Sequence, residues 1–209
     1  MKKMSNCLQY VHFSDLSPSE QNLYRIKLYS FLRRLVLEYH NFNKWYQKLF
    51  TDDGTLNADR EIILCQITDE IAGIIILKRQ TDERKICTLR VAKKFQNQGI
   101  ASRLVELGFE WLEDEKPLIT VHKAKIQQFE PLFKKYGFQI EQQMRNYYQV
   151  FSTELVYNGA LPDKKIFFNH IELNDIQRIT YTLIRNNCYS LNRVVNECMM
   201  LWWNKVRSI

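Results

Sequence analysis

The run Gln96-Asn97-Gln98-Gly99-Ile100-Ala101-Ser102-Arg103 is polar, carries one glycine and leads directly into an apolar-periodic stretch. A glycine turn at a helix start leaves backbone N–H groups without intrahelical acceptors, and the helix dipole adds positive potential at the same spot. Such a place takes an anion, most often a phosphate. The amides of Gln98, Gly99, Ile100, Ala101 and Ser102 would form the cradle, with the side chains of Gln96 and Arg103 adding donors. The spacing is not a dinucleotide fingerprint, because the further glycines are missing, and no Gly-Lys-Ser/Thr follows to make a P-loop.

Groups able to move a proton are scattered. His122 directly follows the apolar run Leu118–Val121, and histidine titrates in a suitable range. Beside that reading stands a plain surface histidine near Lys123 and Lys125. Tyr136, Tyr147 and Tyr148 supply phenols, which more often pack with the hydroxyl satisfied. His12, His40, Asp69, Glu61, Glu70 and Glu141 have no positional support. Five cysteines (Cys7, Cys65, Cys87, Cys188 and Cys198) show no metal-like spacing and read as reduced thiols, with no metal site.

The elements that must position these groups follow from periodicity. Gln9–Phe13 is expected as a strand. Ser17-Pro18-Ser19-Glu20 starts a helical stretch to about Phe50, with an apolar stripe of Leu23, Ile26, Leu28, Phe31, Leu32 and Leu35. Glu61–Ile67, Ile71–Lys78 and Ile86–Val91 read as an antiparallel meander. In the last of these, Ile86, Thr88 and Arg90 alternate with Cys87, Leu89 and Val91. A helix from about Ala101 to Glu113 follows, then the short strand Leu118–Val121, parallel to its predecessor. A second helix closes on Gly137, and a hairpin around Arg145-Asn146 completes the unit.

Two of these stretches carry a family pattern. Gln96-x-x-Gly99-x-Ala101 resembles the acetyl-CoA loop of the GNAT acyltransferase superfamily. The ending Lys135-Tyr136-Gly137-Phe138 resembles its second signature, and the order of elements from residue 9 to 156 agrees. The resemblance implies an α/β (α+β) GNAT fold over residues 1–158, a central mixed, mostly antiparallel sheet flanked by helices, and a C-terminal helical extension over 159–209. It implies transfer of acetyl from acetyl-CoA to a primary amine. Leu89, Arg90 and Val91 would pair with the pantetheine arm, the Val91 N–H polarising the thioester carbonyl. Gln96, Asn97, Gln98, Gly99, Ile100, Ala101, Ser102 and Arg103 would hold the pyrophosphate, with Phe133 also against the cofactor. The usual tyrosine, four residues before the glycine, is here Phe133, which has no proton to give. His122, Tyr136 and Tyr148 are therefore the candidate catalytic residues.

Net charge is +7 and hydrophobic content 45%, so the chain folds and favours acidic partners. The segment 17–56 is basic and aromatic, which disfavours a polycationic acceptor. A small-molecule or protein amine fits better, and nucleic acid, including toxin-like acetylation of aminoacyl-tRNA, stays open. A catalytically weak acyl-CoA-binding or interaction module is the alternative to an enzyme. The longest apolar run, Ile71–Leu77, is too short for a membrane span, and no signal peptide is read, so a cytoplasmic protein is expected. Residues 190–206 carry a wide apolar stripe ending near Trp202-Trp203, expected to pack on its own domain or to form a homodimer.

Overall fold

The computed structural model describes residues 8–37, 41–148 and 152–162. The expected C-terminal helical extension beyond residue 162, and the packing or dimer contact read from its apolar stripe, lie outside the described residues, as do Cys7, His40, Cys188 and Cys198.

Strands Leu8–His12 (β1), Arg60–Ile67 (β2), Glu70–Arg79 (β3), Arg84–Val91 (β4), Leu118–His122 (β5), Ile140–Arg145 (β6) and Thr153–Tyr157 (β7) form one seven-stranded sheet in the order β1-β2-β3-β4-β5-β7-β6. All described neighbours are antiparallel except β4 and β5. The helix Ile100–Leu112 (α3) provides their crossover, because a parallel connection needs a long return path. Strand β3 is buried almost end to end, as its unbroken Ile71–Leu77 run requires of a strand covered on both faces.

The helix Pro18–Leu32 (α1) starts in a capping box. The Glu20 N–H donates to Ser17 Oγ, and the Glu20 carboxylate accepts from the Ser17 N–H at 2.9 Å. A 3-10 turn over Arg33–Leu37 and the helix Phe42–Gln47 (α2) follow. Leu28, Leu32, Phe42 and Leu49 pack against Ile62, Leu64, Ile74 and Ile76 on one face of the sheet. Leu23 and Ile26 do not join them: they are 54% and 69% exposed, on the opposite side of α1 from Leu28.

The other face carries α3 and the helix Ile126–Tyr136 (α4). Leu104, Val105, Leu112 and Phe133 pack there against Ile63, Ile75, Leu77, Ile119 and Leu155. Helix α4 ends at Gly137, whose φ of +62° continues into a Phe138 N–H to Phe133 carbonyl bond of 2.9 Å. No helix among the described residues is long and apolar enough to cross a membrane.

Candidate active site

The site begins with a defect in β4. Ile76 pairs with Thr88 and Leu77 pairs with Ile86, so Cys87 is an extra residue, a β-bulge. The alternation expected through Ile86–Val91 therefore breaks at Cys87. Ile86, Leu89 and Val91 face α3 and α4, while Cys87 turns to the α1 side. By the same alternation Lys85, Thr88 and Arg90 share the α1 side.

At this point β4 also parts from β5. The two strands bond at Lys85–Leu118 and Ile86–Ile119, and then diverge into a fork. Continued past the bulge, the register sets Leu89 across from Val121 and Arg90 across from His122. The Ala92 N–H donates to the Ala72 carbonyl at 2.8 Å. Bonding in an antiparallel ladder alternates, so Arg90 and Thr88 also bond towards β3. The N–H groups of Leu89 and Val91 then point into the fork.

The open end of the fork meets the polar loop. Asn97 has φ +61° and Gly99 φ +78°, and successive amides in such alternating conformations converge on a concavity. Gly99 is the N-cap of α3, so the N–H groups of Ile100, Ala101 and Ser102 lack intrahelical acceptors, and the first helical bond is Arg103 N–H to the Gly99 carbonyl at 3.0 Å. A β-carbon on Gly99 would meet nothing within 4 Å, so the cradle is open. Gln96 Nε2 donates to the Val91 carbonyl at 3.3 Å, tying loop to strand. The Arg103 guanidinium lies 3.7 Å from both Glu106 and Glu110, so its charge is shared with α3. These residues fit a pyrophosphate-bearing acyl carrier, with pantetheine extending along β4.

The α1 side of the fork is lined by cations. Arg90 stacks over Phe31 at 5.4 Å. Arg60 Nη1 contacts Cys87 Sγ at 3.6 Å, and Lys85 Nζ lies 3.3 Å from the Tyr148 hydroxyl. Burial pushes the Cys87 thiol up, although Lys85 and Arg60 pull the other way. Burial works against the Lys85 ammonium too, but Tyr148, Cys87 and Glu83 more than offset it and hold its pKa above the usual value.

His122 ends β5 at the mouth of the fork. Its Nδ1 accepts the Ala124 N–H at 3.1 Å, which leaves the proton of a neutral ring on Nε2. Tyr148 sits at the closed end, over the start of β4. Tyr136 turns to α3 instead: its hydroxyl is 2.9 Å from the Glu106 carboxylate and 3.1 Å from the Ser102 carbonyl. Phe133 is 4% exposed, its ring centroid 4.4 Å from that of Tyr157. Glu61 is no free base. It is 1% exposed, accepts from the Ser14 N–H, Ser14 hydroxyl and Ile62 N–H, lies 3.4 Å from His12 Nδ1, and sits on β2, two strands away from β4.

Sequence reasoning passed over Glu154, a carboxylate only 7% exposed on β7. Its signal is one acid directly before the apolar run Leu155-Val156-Tyr157. Among the described residues, no group of three or more His, Cys, Asp or Glu could hold a metal ion.

The family model described as Acetyltransferase (GNAT) domain matches residues 19–149. A GNAT-family acetyltransferase from Desulfovibrio desulfuricans superposes with a TM-score of 0.54 at 14% identity, covering 72% of this chain and 97% of that one. Arabidopsis thaliana NAA60, solved in complex with acetyl-CoA, gives 0.54 at 14% identity, covering 72% and 97%. The ribosomal-protein-S18-alanine N-acetyltransferase of Escherichia coli gives 0.53 at 16% identity, covering 78% and 100%. No curated protein matches the sequence. At these identities the structural likeness speaks for the fold alone.

Proposed function

The chain belongs to the GNAT acetyltransferase family, and on that premise we propose that it moves an acetyl group from acetyl-CoA to a primary amine. The observation that carries this reading is the fork. Its Leu89 and Val91 amides face a gap that opens directly onto the Gly99 cradle. Acetyl-CoA, when bound, supplies the acyl thioester. The loop amides from Gln98 to Ser102 hold its pyrophosphate, and the Val91 N–H polarises the carbonyl. Arabidopsis NAA60 carries acetyl-CoA on this fold, which supports the choice of donor.

The acceptor enters from the α1 side, past Arg90, Arg33 and Arg34. The two arginines of the 3-10 turn are exposed and have no carboxylate partner among the described residues. An amine set among acidic groups suits that approach: a protein amine flanked by Asp or Glu, a small anionic amino compound, or an aminoacyl-tRNA. On this side His122 stands at the mouth of the fork, within reach of the amine, whereas Tyr148 lies at the closed end beside Lys85; Tyr136 serves the α3–α4 contact.

The test is CoA release from acetyl-CoA across an amine panel containing acidic peptides, small amino acids and aminoacyl-tRNA. Turnover on one class, with acetyl-CoA raising the melting temperature, is the expected result. At a hundredfold excess over Kd the ligand should add about 2.7 kcal/mol. Phe133 favours one other reading, an acyl-CoA-binding module with little chemistry. Saturable CoA binding without turnover on any amine would select it.

A further inference from the structure

We propose that Glu154 is the base that takes the acceptor's proton, working beside His122; this rests on the acetyltransferase reading above. Leu155 and Tyr157 of β7 point into the α3–α4 core, and Val156 packs with Leu118 and Tyr147 on the other face. Alternation therefore puts Glu154 on the acceptor side, together with Val156. On β5 the same rule puts Leu118, Thr120 and His122 on that side, since Ile119 and Val121 join the α3–α4 core.

Glu154 and His122 are direct register partners. Cross-strand partners on one face hold their β-carbons about 5 Å apart. The pair stands at the end of β5, where the strand has left β4 and faces Arg90 across the gap. The charged groups nearest in register on the surrounding elements are His122 on β5, Arg90 on β4, Lys123 and Lys125 just after β5, and Arg145 on β6, with Arg84 and Lys85 of β4 and Glu141 of β6 towards the far ends of their strands.

The division of labour follows from His122. With Nδ1 taken by the Ala124 N–H, its Nε2 is a donor. The carboxylate is then the acceptor of the two. The incoming ammonium gives one proton to Glu154. The freed amine attacks the thioester carbonyl, the new C–N bond forms and the C–S bond breaks. The nitrogen's second proton goes to the departing thiolate, and Glu154 returns its own to solvent. His122 orients the carboxylate and the amine.

Two measurements test this on the full chain. In Glu154→Gln, kcat should fall about 100-fold to 10,000-fold, the acid limb of the pH profile should vanish, and acetyl-CoA affinity should hold. Glu154→Asp should restore part of the rate. Independently of turnover, the His122 imidazole, followed by NMR, should titrate about one pH unit lower in Glu154→Gln than in the wild type, because a neighbouring anion is lost. Turnover within threefold of wild type, or an unmoved His122 titration, overturns the proposal. So does equal loss of folding and acetyl-CoA binding in both variants. A wild type that releases no CoA with any amine defeats the acetyltransferase reading instead, and the His122 titration still decides whether the two groups are paired.

Discussion

Gly73 stands opposite Val91, and a β-carbon there would lie 2.9 Å from Ile100 Cγ2 and 3.3 Å from the Arg90 carbonyl. The first turn of α3 thus rests on bare backbone at the open end of the fork. Gly73→Ala should push that turn outwards, costing about 1–3 kcal/mol by overpacking. Because the same turn carries the anion cradle, acetyl-CoA should bind more weakly as well. Urea denaturation and ligand-induced thermal shift read the two effects; a variant equal to wild type in both contradicts the packing argument.

Gly99 poses the opposite case. Nothing lies near its missing β-carbon, yet its φ of +78° disfavours any L side chain. Gly99→Asp would also set a carboxylate in a cradle built for anions. Acetyl-CoA affinity should fall at least about tenfold, one unit of 1.4 kcal/mol, while the circular dichroism spectrum keeps its wild-type shape. Retained affinity would remove the pyrophosphate from this loop.

Tyr136→Phe separates a structural phenol from a catalytic one. The hydroxyl links α4 to Glu106 and the Ser102 carbonyl, so the variant should lose about 1 kcal/mol of stability and keep its turnover. The pH dependence has a definite sign. The Tyr136 and Lys135 hydrogen bonds hold the Glu106 carboxyl below its ordinary value. Its contribution is present above the ordinary carboxylate range and is lost as pH falls through the lowered value. The effect is small, because Glu106 is half open to solvent. Tyr136→Phe should flatten the acid side of the stability curve; a drop in kcat at unchanged stability would instead return Tyr136 to the chemistry.

Cys87 should be inert. Burial pushes its thiol up, so little thiolate exists at neutral pH. Site-mapped alkylation with iodoacetamide should label Cys87 more than about tenfold slower in the native protein than in urea. Fast native labelling of this half-buried thiol would mean that Lys85 and Arg60 outweigh its desolvation.

Much of the frame was legible before any coordinates. The apolar runs within Glu61–Ile67 and Ile71–Leu77 announce β2 and β3, and Gly99 and Gly137 mark a helix start and a helix end by their backbone freedom alone. These signals are local. What escaped depends on partners distant in sequence. Tyr136 is tied to Glu106, thirty residues away, and nothing near Tyr136 says so. Leu23 and Ile26 look like core residues until the sheet decides which side of α1 is covered. Glu154 matters only once β7 is known to lie beside β5. The defect at Cys87 is silent too, because neither glycine nor proline marks it.

That defect sets the parity of β4. Were Cys87 taken into the regular ladder instead, Arg90 would turn into the apolar layer beneath α3, and the amides of Leu89 and Val91 would exchange sides with those of their neighbours. In the proposed reading donor and acceptor approach this sheet from opposite faces, and the bulge is what lets each find its own residues. A strand that kept Cys87 and lost the bulge would still hold every side chain of the proposed chemistry, each of them on the wrong side.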